Sequence, residues 1–408
     1  MKRIERRAGR LLRELLPHNL RYRPVGVHAS SRRLAAQPGS GATYQEIVPA
    51  YTSRLEVTPE FYDLCVDYEK PHPEEHTVPA FVLTLANGRL YADNYNSVAV
   101  IAADNRLVGD ASFQFGKREW NMVPPEDNNI FDQRYFREPV PVAGTVCSLL
   151  SGGGAAMGNY SHWLLDSLPC LHLVKEAGQW DGIDYFLVYD RHNNFVRETL
   201  GLLGVGPERI LDVQTHRHLR ADRLVVPSAV RGRGRHYPRW AFEFMRASYL
   251  KVGRKVARTF SPLVYISRRD AAVRHVTNEA EVEAMLRPYG FETYVLGTLS
   301  FPEKVALFSQ ARTIVSPVGA GLINVSFCAP GTTLIEMMPR HFVVSDFWEM
   351  SSRLDLVHHP LISAGTGIGT GAGSDRLGDL AVDVAALQQL LHQVGLRTPA
   401  VALTGAAE

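Results

Sequence analysis

The sequence is short of several things at once. It has no uninterrupted apolar run of the ~18 residues that a membrane-spanning helix needs. Its four cysteines, Cys65, Cys147, Cys170 and Cys328, lie far apart with no CxxC pair, which argues against a disulfide scaffold and for reduced structural thiols in a cytosolic protein. It lacks a net charge of either sign to speak of: 44 Lys+Arg against 42 Asp+Glu leave +2, too little for a polycation that coats nucleic acid. There is no Asp-x-Asp triplet and no His/Cys cluster at metal-ligand spacing. An enzyme built this way is expected to stabilise a diphosphate leaving group with arginine and helix-end amides rather than a divalent ion, so no metal and no cofactor is expected.

What remains is ordinary globular material. The 408 residues are 45% hydrophobic and 21% charged, enough for two or three domains with full-sized cores. The first sixteen residues place Ile4, Ala8, Leu11, Leu12, Leu15 and Leu16 at helical spacing, with Lys2, Arg3, Arg6, Arg7, Arg10 and Arg13 on the other faces and Pro17 as a stop. Charged residues interrupt this stretch, so it does not read as a signal peptide. Two readings stand: a basic amphipathic helix lying on an anionic membrane from the cytoplasmic side, or a helix docked on the protein itself.

The pattern divides the chain into residues 1–43, a strand-rich leader over 44–150, an α/β segment over 151–255 and a second α/β segment over 256–408. In the leader, apolar runs such as 80–84 before Asn87-Gly88 read as hairpin strands. From residue 151 strands and helices alternate, with strands expected at 185–189, 223–227, 263–267, 292–296, 313–316, 333–337 and 356–362. Helices are expected at 160–177, 194–203, 278–287, 301–311, 321–328, 347–353 and 382–394. Such alternation predicts a doubly wound parallel sheet with its ligand beyond the carboxyl ends of the strands. The glycine run over 365–373 does not pass into a helix and reads as a linker rather than a phosphate cradle.

Four segments carry chemistry. Residues 152–169 run from a glycine loop into a helix on which His162 and Asp166 are four apart and share a face, with Asn159 or Ser161 as cap. That pair suits general-base work or, equally, capping and packing. Arg268, Arg269 and, beyond them, Arg274 end a strand and suit phosphate oxygens, unless they pair with nearby acids. Gly319, Ala320 and Gly321 pass a strand into a helix through bare backbone amides, a seat for a diphosphate or for tight packing. Glu336 ends a strand on its crevice side, as a ribose acceptor or one half of a buried ion pair.

Together these segments resemble glycosyltransferase family 61. The run over 159–169 is similar to that family's N-terminal signature. Ser267–Arg269, Asn278-Glu279, Gly290–Glu292, Gly319–Asn324 and Ile335-Glu336 before Pro339 are similar to its C-terminal half. The resemblance implies a GT-B-like α/β fold, two Rossmann-type lobes facing a cleft, with an inverting, metal-independent transfer from a nucleotide sugar to a glycan or lipid-linked glycan. It implies Asp166 as base with His162 supporting or replacing it, and Asn159, Tyr160 and Trp163 on the acceptor side. Arg268, Arg269, Arg274, Gly319, Ala320, Gly321, Asn324 and Glu336 would lie on the donor side. Bacterial members serve capsule, exopolysaccharide or lipopolysaccharide synthesis. Val318 stands where many relatives have His, and Cys170 where a basic residue is common. A non-catalytic scaffold with the same fold is the alternative. A nicotinamide dehydrogenase would want a glycine fingerprint that is missing, and a glycoside hydrolase an opposed carboxylate pair that the sequence does not single out.

Overall fold

The computed structural model describes residues 18–67, 70–93, 97–116, 122–150, 158–232, 235–365 and 378–398. The amphipathic stretch over 1–16, most of the glycine loop over 152–158 and the glycine run from 366 onward lie outside the described residues.

The strands of the first half are β1 (Val27–His28), β2 (Ala42–Val48), β3 (Thr52–Arg54), β4 (Glu74–His76), β5 (Ala80–Ala86), β6 (Arg89–Asp93), β7 (Ser97–Ile101), β8 (Leu107–Val108), β9 (Phe113–Gln114), β10 (Val140–Ser148), β11 (Tyr185–Val188), β12 (Ile210–Asp212) and β13 (His218–Pro227). The second half adds β14 (Leu263–Ser267), β15 (Glu292–Val295), β16 (Thr313–Pro317), β17 (Thr333–Pro339), β18 (Val357–Gly365) and β19 (Leu380–Ala381).

Eleven of these strands form one sheet in the order β1-β8-β7-β6-β13-β10-β11-β12, with β5 also on β13, β2 on β5, and β9 on β7. The boundary expected near residue 150 therefore runs through a single sheet. Strand β13 is its centre. It pairs in parallel with β10 and antiparallel with β5 and β6, so leader hairpins and α/β segment share one ladder. Leu224, Val225 and Val226 are buried, as the unbroken apolar run of an interior strand requires. The hairpin expected at Asn87-Gly88 does not form: β5 and β6 run end to end along β13, and these two residues are a kink between them, with Asn87 at φ 51° and Gly88 so crowded that a Cβ would lie 2.8 Å from Leu224 Cβ.

The second sheet runs β15-β14-β16-β17-β18-β19, parallel except for the last pair. This is the doubly wound order the alternation predicts, and its elements fall within a few residues of the expected ones except for the short antiparallel edge strand β19, which was not expected. The helix Phe301–Gln310 starts from a capping box in which Ser300 and Glu303 satisfy each other's backbone N–H groups.

One apolar core spans both sheets. The helix Arg239–Gly253 packs on Phe301–Gln310, with the Tyr249 and Phe301 rings edge to face at 4.9 Å. The segment around β3 and the helix Pro59–Leu64 crosses over as well. Phe61 packs on Trp348 at 5.3 Å, Arg353 donates to Ser53 Oγ at 2.6 Å, and Val66 N–H bonds Val343 O. All four cysteines are buried without a disulfide. Among the described residues, no helix is long and apolar enough to cross a membrane.

Candidate active site

The chain leaves β10 toward β11 and comes back at β13 on the other side of β10, so the strand order reverses there. Ligands of open α/β sheets bind beyond the carboxyl ends of strands at such a point. Asn159 caps the segment that follows β10, its side chain accepting from the Ser161 and His162 amides. A helical turn over Tyr160–His162 widens into a π turn over Trp163–Ser167, closed by Leu168 N–H to Trp163 O at 2.8 Å. Pro169 has no N–H to give the Leu165 carbonyl, which explains why the α register is lost here.

The wide turn buries Asp166, 2% exposed, below His162. His162 Nδ1 lies 2.7 Å from Asp166 Oδ2. From the turn after β13, Arg231 closes the other side, Nε at 3.1 Å from Oδ1 and Nη2 at 3.3 Å from Oδ2. Burial disfavours the Asp166 carboxylate, but Arg231 and then His162 outweigh it and hold its pKa below the ordinary value. An ionised carboxylate only accepts, so His162 Nδ1 carries the hydrogen of this bond, which in the neutral ring leaves the lone pair on Nε2. Both Asp166 oxygens are spent on protein partners, while the His162 side chain keeps 23% of its surface exposed.

Arg231 is the residue that the sequence reading missed. Its guanidinium lies 4.5 Å over the Tyr237 ring, and Asp346 and Asp166 both raise its pKa against its burial. Beside it, Glu349 accepts from Tyr237 N–H at 2.8 Å and burial pushes its pKa up to about 7. A signal was present in the chain: Arg231-Gly-Arg-Gly-Arg235 follows a strand expected to end at 227, at its carboxyl end.

The second reversal lies between β14 and β16. Arg268 follows β14 and lies against Gly319, which follows β16. A Cβ on Gly319 would stand 1.8 Å from Arg268 Nη1, so only glycine admits the guanidinium. Arg268 Nη2 donates to Val273 O at 3.0 Å, but its buried Nε has no partner. Burial lowers the Arg268 pKa to about 10, with Arg274 adding to the shift and Asp270 opposing it. A half-buried cation with an unspent N–H beside bare backbone is a cradle for an anion. Arg274, at φ 59°, joins this region with its guanidinium 5.4 Å over the Phe342 ring. Gly321 is explained by packing, since a Cβ there would lie 2.7 Å from Leu296 Cδ1. Ala320 opens the 3-10 helix Ala320–Phe327 and is half-buried beside it.

Other expected site residues have different work. Arg269 turns outward to Glu279 at 3.4 Å and Glu283 at 2.5 Å, so it is spent on the surface of the next helix. Trp163 is 2% exposed and donates to Thr199 Oγ1 at 2.9 Å, which makes it core rather than an acceptor contact. Asn324 is fully buried and ties the two sheets together, accepting from Tyr160 Oη at 2.8 Å and donating to Gly321 O at 2.8 Å. Tyr160 was expected on the acceptor side and Asn324 on the donor side; the two are hydrogen-bonded to each other. Glu336 is completely buried, with Oε2 2.8 Å from His358 Nε2 and Oε1 without a partner. Burial raises its pKa, His358 opposing. It is half of a buried pair. Val318 and Cys170 are likewise enclosed, Cys170 donating to Asp166 O at 3.4 Å. Among the described residues no three His, Cys, Asp or Glu side chains gather as metal ligands.

Residues 160–335 match the family model described as Glycosyltransferase 61. The matched span contains His162, Asp166, Arg231, Arg268 and Gly319, and ends one residue before Glu336. This part of the chain is similar to glycosyltransferases, which supports a nucleotide-sugar donor and a glycan acceptor. No curated protein matches the chain.

Proposed function

We propose that this chain is an inverting, metal-independent glycosyltransferase with two facing GT-B-type lobes that moves a sugar from a nucleotide-sugar donor to a glycan in cell-surface polysaccharide synthesis. The observation that carries the reading is Arg268, seated against Gly319 at the β14/β16 reversal with an unspent N–H. Together with the Gly319–Gly321 backbone it would hold the donor diphosphate, Arg274 adding positive charge.

His162 is then the base, and Asp166 and Arg231 are positioning residues. The acceptor hydroxyl gives its proton to His162 Nε2 as its oxygen bonds the anomeric carbon. The bond from that carbon to the diphosphate oxygen breaks, and its electron pair leaves with the nucleoside diphosphate toward Arg268. Asp166 keeps the imidazole in the tautomer that can accept this proton and stabilises the imidazolium that forms. Supporting that division, the Asp166 oxygens are already filled, whereas His162 is the partly exposed member of the pair.

The test is a thermal-shift screen against UDP-, GDP-, CMP- and dTDP-sugars with and without EDTA, followed by Arg268→Ala and His162→Gln. One nucleotide should raise the melting temperature in the presence of EDTA. Arg268→Ala should lose that response. His162→Gln should keep it and lose ~10²- to 10⁴-fold in turnover. Equal donor affinity in wild type and Arg268→Ala would refute the diphosphate seat.

A further inference from the structure

The leader strands enclose a cavity of about 300 Å³ that the scheme above leaves unused. This is the size at which small-molecule sites begin. Its lining is mostly apolar, through Tyr44, Phe81, Val98, Val100, Phe113 and Met122, with Arg32 and Asp110 as its charged members. Packed interiors leave few voids larger than a water molecule, so one of this size between well-ordered strands needs a reason.

The walls are held apart by their own hydrogen bonds. Asp110 accepts from Ser31 N–H at 2.8 and 2.9 Å and from Ser31 Oγ–H at 2.5 Å, pinning the loop after β8 to the helix Ser31–Ala35. Ser112 Oγ accepts from Val100 N–H at 2.9 Å. Ser228 Oγ accepts from Phe81 N–H at 3.1 Å. The cavity is thus built into the frame.

Its position points to its use. Ser148 and Leu150, at the carboxyl end of β10, and Ser228 and Gly232, beyond β13, complete the lining. It therefore reaches the same strand reversal from which Arg231 extends to Asp166. Gly232 follows Arg231 directly, at φ 57°, and a Cβ on it would stand 2.4 Å from Cγ2 of Val78, another lining residue. Cys170 Sγ, one layer below, lies 3.8 Å from Ser228 O and 3.4 Å from Asp166 O.

We infer that this cavity is an acceptor subsite that takes an aliphatic chain carried near the hydroxyl to be glycosylated. The inference rests on the transferase reading for the word acceptor. A mostly apolar cavity that reaches the turn carrying Arg231 suits a molecule with a sugar at one end and a hydrocarbon chain at the other.

The experiment uses the full chain and n-alkyl β-D-glucopyranosides from methyl to decyl, below their micellar concentrations, with binding measured by titration calorimetry. Affinity should rise up to about fourfold per methylene and then level off once the cavity is full. Ala111→Trp and Met122→Trp, at two lining positions that would each fill the space, should each abolish the rise. Both should keep the wild-type nucleotide response in thermal shift. Equal affinity for methyl and decyl glucosides, or a rise that survives in whichever of the two variants folds, would overturn the subsite and leave the transferase reading standing. A chain-length dependence in a protein that answers to no nucleotide sugar would instead overturn the assignment to an acceptor.

Discussion

Replacing Arg231 with methionine puts the buried carboxylate at the centre of the site to a quantitative test. Arg231 holds both oxygens of a side chain that is 2% exposed, and burial is the largest influence on that carboxyl. Without the guanidinium, the His162 hydrogen bond alone opposes burial. Removing one partner of a buried pair costs about 3–5 kcal/mol, because the other charge stays behind uncompensated. The sign with pH follows. In the wild type the depressed Asp166 pKa contributes stability above the ordinary carboxyl value, lost as pH falls through the folded-state value. In Arg231→Met the folded-state pKa is raised, so stability should fall as pH rises and recover toward acid. Urea unfolding followed by tryptophan fluorescence at pH 5 and pH 8 reads both. Arg231→Met should lose several kcal/mol at pH 8 and clearly less at pH 5. Adding Asp166→Asn should restore most of the loss at pH 8, a coupling of 2 kcal/mol or more in the double-mutant cycle. A loss below about 1 kcal/mol, or no rescue by Asp166→Asn, would refute the tether.

Three further outcomes are expected. Gly319→Ala should displace the Arg268 guanidinium and weaken nucleoside-diphosphate binding at least tenfold by calorimetry. The fold should survive, since φ at this position is 172° and open to alanine. Arg269→Ala should leave that affinity within twofold and cost under about 1 kcal/mol, because an exposed pair with Glu279 and Glu283 contributes little; a tenfold loss of affinity would return Arg269 to the site. Glu349→Gln removes a carboxyl whose pKa is raised from 4.5 to about 7, a burden absent below pH 4.5 and complete above pH 7. The variant should therefore gain on the wild type in a pH series of urea midpoints, by at most ~3 kcal/mol near neutrality. An unchanged difference across the series would contradict the raised pKa.

The second sheet was legible in the sequence nearly residue by residue, because each of its strands and helices is short, local and marked by its own period. The hairpin read at Asn87-Gly88 is not one, because β5 and β6 follow each other along the same neighbour with only a kink between them. The partner of β5 was not legible either. That partner is β13, about 140 residues further on, and nothing within a window of either strand names the other. The site divides in the same way. His162 and Asp166 share a helical face, so their spacing alone brings them together. Arg231 reaches them from another turn of the fold, and its segment has no period to read. Arg268 and Arg269 are chemically identical in sequence. They part only because Gly319 makes room for one and a pair of acids on the following helix captures the other. Trp163 and Asn324, polar enough at one end to suggest a ligand, have those ends satisfied by Thr199 and Tyr160.

The central place of β13 also sets a schedule for the growing chain. Strand β5, with Phe81, Val82, Leu83 and Leu85 all destined for burial, emerges early and has no neighbour on its β13 side until residue 227 is made. At roughly 5–20 residues per second this is an interval of roughly 10–30 s during which an apolar edge stands open on the ribosome. Strand β10 waits through a shorter version of the same delay. Nascent chains stalled before residue 227 should accordingly depend on chaperones and aggregate when released, whereas chains stalled well beyond it should not.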